Sequence, residues 1–110
     1  MKYLIIDDEA PAVAKIKFYL NQLTDNAEIN SFNTAAGFSD YAGSDYNYAF
    51  IDEKCYSNEL ANEIVQKSPE CKIIMIIGFA DSELKKNQQF GKVFLKKPFT
   101  LNTLGQAISS

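Results

Sequence analysis

Three stretches of this 110-residue chain could do chemistry together. Asp7-Asp8-Glu9 follows the apolar run KYLII, Asp52-Glu53 follows YAFI, and Lys96-Lys97-Pro98-Phe99 follows VFL. Brought to one edge, they would crowd several carboxylates and one or two ammonium groups into a small volume. Carboxylates that close repel one another unless some are protonated or a cation is shared. Mg²⁺ suits such a set, because it takes a few hard oxygen ligands and keeps several waters for an incoming phosphate. A lysine there serves as a point charge for phosphate oxygens. An aspartate held opposite the metal can attack phosphorus and form an acyl phosphate. Positioning and charge neutralisation supply most of the catalysis in such transfers, so few groups are needed. The plainer reading makes Asp8 or Glu9 a cap for the helix opening at Pro11, and Lys97 a solvated charge before a turn. It accounts for each stretch singly better than for all three at once.

The elements that would position these residues alternate along the chain. Apolar runs lie at Tyr3–Ile6, Ala27–Phe32, Tyr48–Ile51, Ile73–Ile77 and Val93–Leu95. The first, third and fourth are continuous rather than alternating, as in strands covered on both faces. Between them run helical stripes: Val13, Ile16, Leu20 and Leu23 after Pro11; Leu60, Ala61, Ile64 and Val65; and Leu101, Leu104 and Ile108. Two further segments, Ala35–Tyr41 and Asp81–Gln89, carry weaker stripes, the latter polar except for Leu84. The pattern predicts an α/β fold, (βα)5, with a parallel five-stranded sheet and right-handed crossovers. Central placement of the three most apolar runs matches the flavodoxin-like order 2-1-3-4-5, in which ligands bind beyond the carboxyl ends of the strands. One domain over residues 1–110 is expected, and the short last helix suggests a piece of a longer regulator.

Composition narrows the function classes. The formal charge is −3, and adjacent basic residues occur only at Lys85-Lys86 and Lys96-Lys97, which argues against direct nucleic-acid binding. Cys55 and Cys71 lack metal-ligand spacing and there is no histidine, so both are expected as small, reduced, partly buried residues. The longest strongly apolar stretch, Ile73–Ile77, is far too short to span a bilayer, and a cytoplasmic, membrane-free protein is expected. Neither G-x-G-x-x-G nor G-K-[ST] is present, which disfavours dinucleotide and P-loop enzymes.

In their order and setting these residues resemble one family over nearly the whole chain: the receiver domains of two-component response regulators. KYLIIDDEAPA resembles the family's first strand with its metal-binding acidic pair, and LIIDDEAPA most resembles receivers that precede LytTR-type DNA-binding domains. NYAFID resembles the third strand and implies Asp52 as phosphoacceptor. VFLKKPF resembles the fifth strand with its Lys-Pro signature, implying Lys97 as the phosphate-contacting lysine and Phe94 as the switch aromatic. The resemblance further implies Mg²⁺ held by Asp7, Asp8, Asp52 and the backbone carbonyl of Lys54. The implied partners are a histidine kinase or phosphotransfer protein, and a second copy bound through the face of the fourth and fifth helical segments. A receiver catalyses only its own phosphorylation and dephosphorylation, so a regulatory phosphoacceptor in a phosphorelay is expected, not an enzyme.

The chain departs from the family in two places. A Ser or Thr is expected at the end of strand four, where this chain has Ile77 or Gly78, and the turn after Asp52 lacks the usual Pro and Gly. An alternative follows: a pseudo-receiver that acts as a phosphorylation-independent interaction module. A haloacid-dehalogenase-type phosphohydrolase is a poorer match, since Asp7-Asp8-Glu9-Ala10 does not supply Asp-x-Asp followed by Thr.

Overall fold

The computed structural model describes residues 1–41, 43–78 and 93–110. Five strands, β1 (Lys2–Ile6), β2 (Glu28–Phe32), β3 (Tyr48–Asp52), β4 (Lys72–Ile77) and β5 (Val93–Lys96), form one sheet in the order β2-β1-β3-β4-β5. Every pairing is parallel. The expected order and fold class hold. The weakly apolar second run and the short fifth run lie at the edges because the inner strands must be covered on both faces.

The described helices are α1 (Ala10–Leu23), α2 (Ala35–Ser39), α3 (Asn58–Lys67) and α4 (Leu101–Ser109). The helix expected over Asp81–Gln89 lies outside the described residues, so α4 corresponds to the fifth helical segment of the sequence reading. Pro11 sits in the first turn of α1, where its missing N–H costs nothing. Ser57 and Thr100 cap α3 and α4 through side-chain oxygens, and Thr34 does the same for α2. No helix among the described residues is long and apolar enough to cross a membrane.

Strand alternation sorts the core into two layers. Tyr3, Ile5, Phe50, Ile74, Ile76 and Leu95 face one side, where Ile16 and Leu20 of α1 and Leu104 and Ala107 of α4 cover them. Leu4, Ile6, Ala49, Ile51 and Ile73 face the other, against Phe38 of α2 and Leu60, Ala61 and Ile64 of α3. Two stripe positions depart from expectation: Leu23 is 44% exposed and Val65 46%. Leu23 is the last residue of α1; its methyls lie 3.9 Å from where a Cβ on Gly105 of α4 would stand, at the rim of that contact. Val65 immediately follows Ile64, which takes the inward position on α3.

Candidate functional site

The same alternation aims the chemically active residues. Tyr3 and Ile5 share a face of β1, and the next residue in that series is Asp7; Phe50 is followed by Asp52, and Leu95 by Lys97. Each side chain therefore continues the α1-and-α4 face just where its strand runs out. Parallel pairing puts all three ends at one edge. The ladders carry slightly past the strands: Asp7 N–H donates to the carbonyl of Phe32 at 3.1 Å, and Lys97 N–H to that of Ile77 at 2.8 Å.

Asp7 and Asp52 are 1% and 2% exposed, which is uncommon for carboxylates and makes their partners decisive. Lys97 Nζ lies 3.0 Å from Asp52 Oδ1, 2.7 Å from Glu9 Oε1 and 3.8 Å from Asp7 Oδ2. The main chain supplies two further donors, Glu9 N–H to Asp7 Oδ1 at 2.9 Å and Lys54 N–H to Asp52 Oδ2 at 3.0 Å. Asp7 Oδ2 is buried and accepts no hydrogen bond from the described residues. Burial pushes the Asp7 carboxyl above its ordinary value, against the bond from Glu9 N–H. The hydrogen bond from Lys97 and its charge hold Glu9 below the usual range. Burial alone would lower Lys97, but its bonds to Glu9 and Asp52 and the charges of Asp52 and Asp7 outweigh this and raise it.

The structure therefore brings Asp7, Asp52 and Lys97 together. Asp8 is exposed, yet one of its carboxylate oxygens lies within 4.8 Å of ligand atoms of Asp52 and Cys55. Glu9, which the sequence groups with Asp7 and Asp8 and which the plainer reading makes a helix cap, joins them. It stands at the N-cap of α1 but makes no capping bond, and its carboxylate crosses to Lys97 instead. The contact spans 88 positions, between the ends of the first and fifth strands. Cys55 is free and partly buried, as expected, and lies against the acids; burial, and then the charges of Asp52, Asp8 and Asp7, raise its pKa. At the end of β4, Ile77 is buried and apolar, and a Cβ on Gly78 would stand 3.5 Å from Glu53 Oε1. Neither position offers a hydroxyl.

A divalent cation fits this set on its own terms. Ligand atoms of Asp7, Glu9 and Asp52 lie within 4.8 Å of one another, all are hard oxygens, and one buried oxygen lacks a hydrogen bond. Three carboxylates share the single ammonium of Lys97 among the described residues, and burial, with the charges of Asp52 and Glu9, acts on Asp7 against it. Because burial raises Asp7, its ionised form costs stability as pH climbs past the ordinary carboxylate range. Asp7→Asn should therefore stabilise the metal-free chain at neutral pH by about 1 kcal/mol, while abolishing the further stabilisation that Mg²⁺ gives the wild type. Thermal melts with and without EDTA check both halves.

No family model matches the chain, and no curated protein matches it. Solved structures do. A response regulator receiver domain protein from Clostridium thermocellum superposes with a TM-score of 0.71 at 27% identity, covering 98% of this chain and 90% of that one. Full-length FixJ from B. japonicum gives 0.78 at 26%, covering 97% of this chain and 55% of that one. A response regulator receiver protein from Sinorhizobium medicae gives 0.79 at 23%, covering 99% and 91%. The fold is that of response-regulator receiver domains. The resemblance seen in the sequence is met by the structure.

Proposed function

We propose that the chain is a two-component receiver domain that accepts a phosphoryl group on Asp52 in a Mg²⁺-dependent reaction. The observation that carries this reading is the convergence of Asp7, Asp52 and Lys97 from three strand ends, with Lys97 Nζ 3.0 Å from the Asp52 carboxylate. Asp7, Asp8, Asp52 and the carbonyl of Lys54 would hold Mg²⁺, which when bound offsets the charge of the phosphoryl oxygens. Asp52 presents a carboxylate oxygen to phosphorus. The P–N bond of a phosphohistidine on a histidine kinase or phosphotransfer protein breaks, and the imidazole nitrogen keeps the bonding pair. Lys97 exchanges a carboxylate partner for a phosphoryl oxygen, and Lys54 N–H keeps Asp52 oriented. Incubation with acetyl phosphate and Mg²⁺ should add the mass of one phosphoryl group to the intact protein. No adduct under these conditions would leave the phosphorylation-independent module as the reading.

The readout is proposed to use Phe94. The registers Met75↔Phe94 and Ile77↔Lys96 put Met75, Phe94 and Ile77 at alternate positions of two neighbouring strands, so one face of the sheet carries all three. In an ordinary receiver a hydroxyl at the end of strand four would bond the phosphoryl group and lead the aromatic inward. Without it the switched state lacks a hydrogen bond to a charged group, roughly 1.5–3 kcal/mol of bias. Ile77→Thr should therefore enlarge the response of Phe94 to beryllofluoride, a phosphoryl mimic, as read in ring proton shifts. An unchanged response would mean that switching takes another route. The proposed homodimer face includes residues 81–89, which lie outside those described, and cytoplasmic location accompanies this reading.

A further inference from the structure

We infer that the acidic pocket is also a site for a thiophilic divalent cation of the Zn²⁺ class, held by Asp8, Asp52 and Cys55. The tight turn after β3 makes it. Cys55 N–H donates to the Asp52 carbonyl at 2.9 Å and Lys54 N–H to the Asp52 side chain at 3.0 Å, which folds residue 55 back over the carboxylate. Ligand atoms of Asp8, Asp52 and Cys55 all lie within 4.8 Å of one another. Zn²⁺ bonds to sulfur at about 2.3 Å and to carboxylate oxygen at about 2.0–2.2 Å, so such separations close with small side-chain shifts. A second feature of the same pocket points to a cation: Asp7 Oδ2, buried in the adjoining Asp7, Glu9 and Asp52 group, accepts no hydrogen bond from the described residues and has only the Lys97 ammonium, at 3.8 Å, as an ion-pair partner among them. The two groups share Asp52.

The thiol is what distinguishes this pocket from an all-oxygen one. Mg²⁺ gains nothing from sulfur, whereas Zn²⁺ and Co²⁺ bind thiolate strongly. Three protein ligands leave a fourth position for water. The cation binds with loss of the thiol proton to solvent. Because it takes the Asp52 carboxylate, it competes with Mg²⁺ and with phosphoryl transfer. That regulatory consequence rests on the function proposed above; the metal site does not.

Cobalt titration of the full chain tests the site. Co²⁺ should produce a near-ultraviolet thiolate-to-cobalt band in the wild type and in Cys71→Ser, whose removed thiol belongs to no acidic group in the described residues. The band should vanish in Cys55→Ser, yield to about one equivalent of Zn²⁺, and survive about a hundredfold excess of Mg²⁺. A wild type without the band, a band that persists in Cys55→Ser, or one that Mg²⁺ displaces would overturn the proposal. A measurement on the wild type alone covers the case in which the variant does not fold. Zn²⁺ should slow alkylation of Cys55 about tenfold or more, as read in the peptide spanning it, with Mg²⁺ inert; equal rates would overturn the proposal. Neither readout involves phosphorylation, so failure of the site and failure of the receiver reading are told apart.

Discussion

Asp52→Asn should abolish the phosphoryl adduct that acetyl phosphate and Mg²⁺ add to the wild type, with no loss of folding. The amide keeps the acceptor that Lys54 N–H uses and the shape of the side chain, so the turn from Asp52 to Cys55 stands. What disappears is the anionic oxygen proposed to attack phosphorus. It also removes one of the two carboxylates buried beneath Lys97, so stability should hold or rise slightly. Intact mass and a thermal melt on the same sample check the two statements together. An adduct of undiminished yield in Asp52→Asn would place the acceptor elsewhere, and a collapsed fold would show that Asp52 is chiefly structural.

Lys97→Met should have the largest effect on stability. Among the described residues Lys97 is the cation that pairs with Asp7, Glu9 and Asp52, and two of these carboxylates are almost wholly buried. Removing it leaves the two buried carboxylates without an ion pair among the described residues, which costs about 3 kcal/mol in EDTA. Mg²⁺ should restore much of that loss, because a divalent ion replaces the missing charge. Denaturant melts with and without Mg²⁺ read both effects. A loss within about 0.5 kcal/mol would put the cluster in the class of surface ion pairs and remove the electrostatic basis of the site. Phosphorylation by acetyl phosphate should fall in the same variant even with Mg²⁺ present, since the phosphoryl oxygens lose their lysine.

Much of this was legible before any coordinates, for one physical reason. A strand's alternation of two fixes which residue at its end continues the buried face, so the series Tyr3, Ile5, Asp7 and the pairs Phe50, Asp52 and Leu95, Lys97 carry their own aim. The sheet order was legible because only the most apolar runs can sit between neighbours. What a sequence does not specify is which partner a side chain chooses once the strand ends have met. Glu9 has the position of a helix cap, yet its carboxylate reaches Lys97 across the sheet edge. Cys55 has no motif around it, because its neighbours come from the turn after one strand and the loop after another. Leu23 and Val65 fit a helical period and still emerge exposed, since periodicity does not tell where a helix passes the rim of the sheet.

The central claim is that Asp7, Asp8, Asp52 and Lys97 form one pocket for a divalent ion and a phosphoryl group. Amide spectra of the isotopically labelled chain test it most directly, taken with Mg²⁺ alone, beryllofluoride alone and both. Mg²⁺ alone should move the amides around Asp7, Asp8 and Lys54. Beryllofluoride should move those of Asp52 and Lys97 only when Mg²⁺ is present. Spectra that ignore Mg²⁺, or that respond to beryllofluoride equally well without it, would contradict the account.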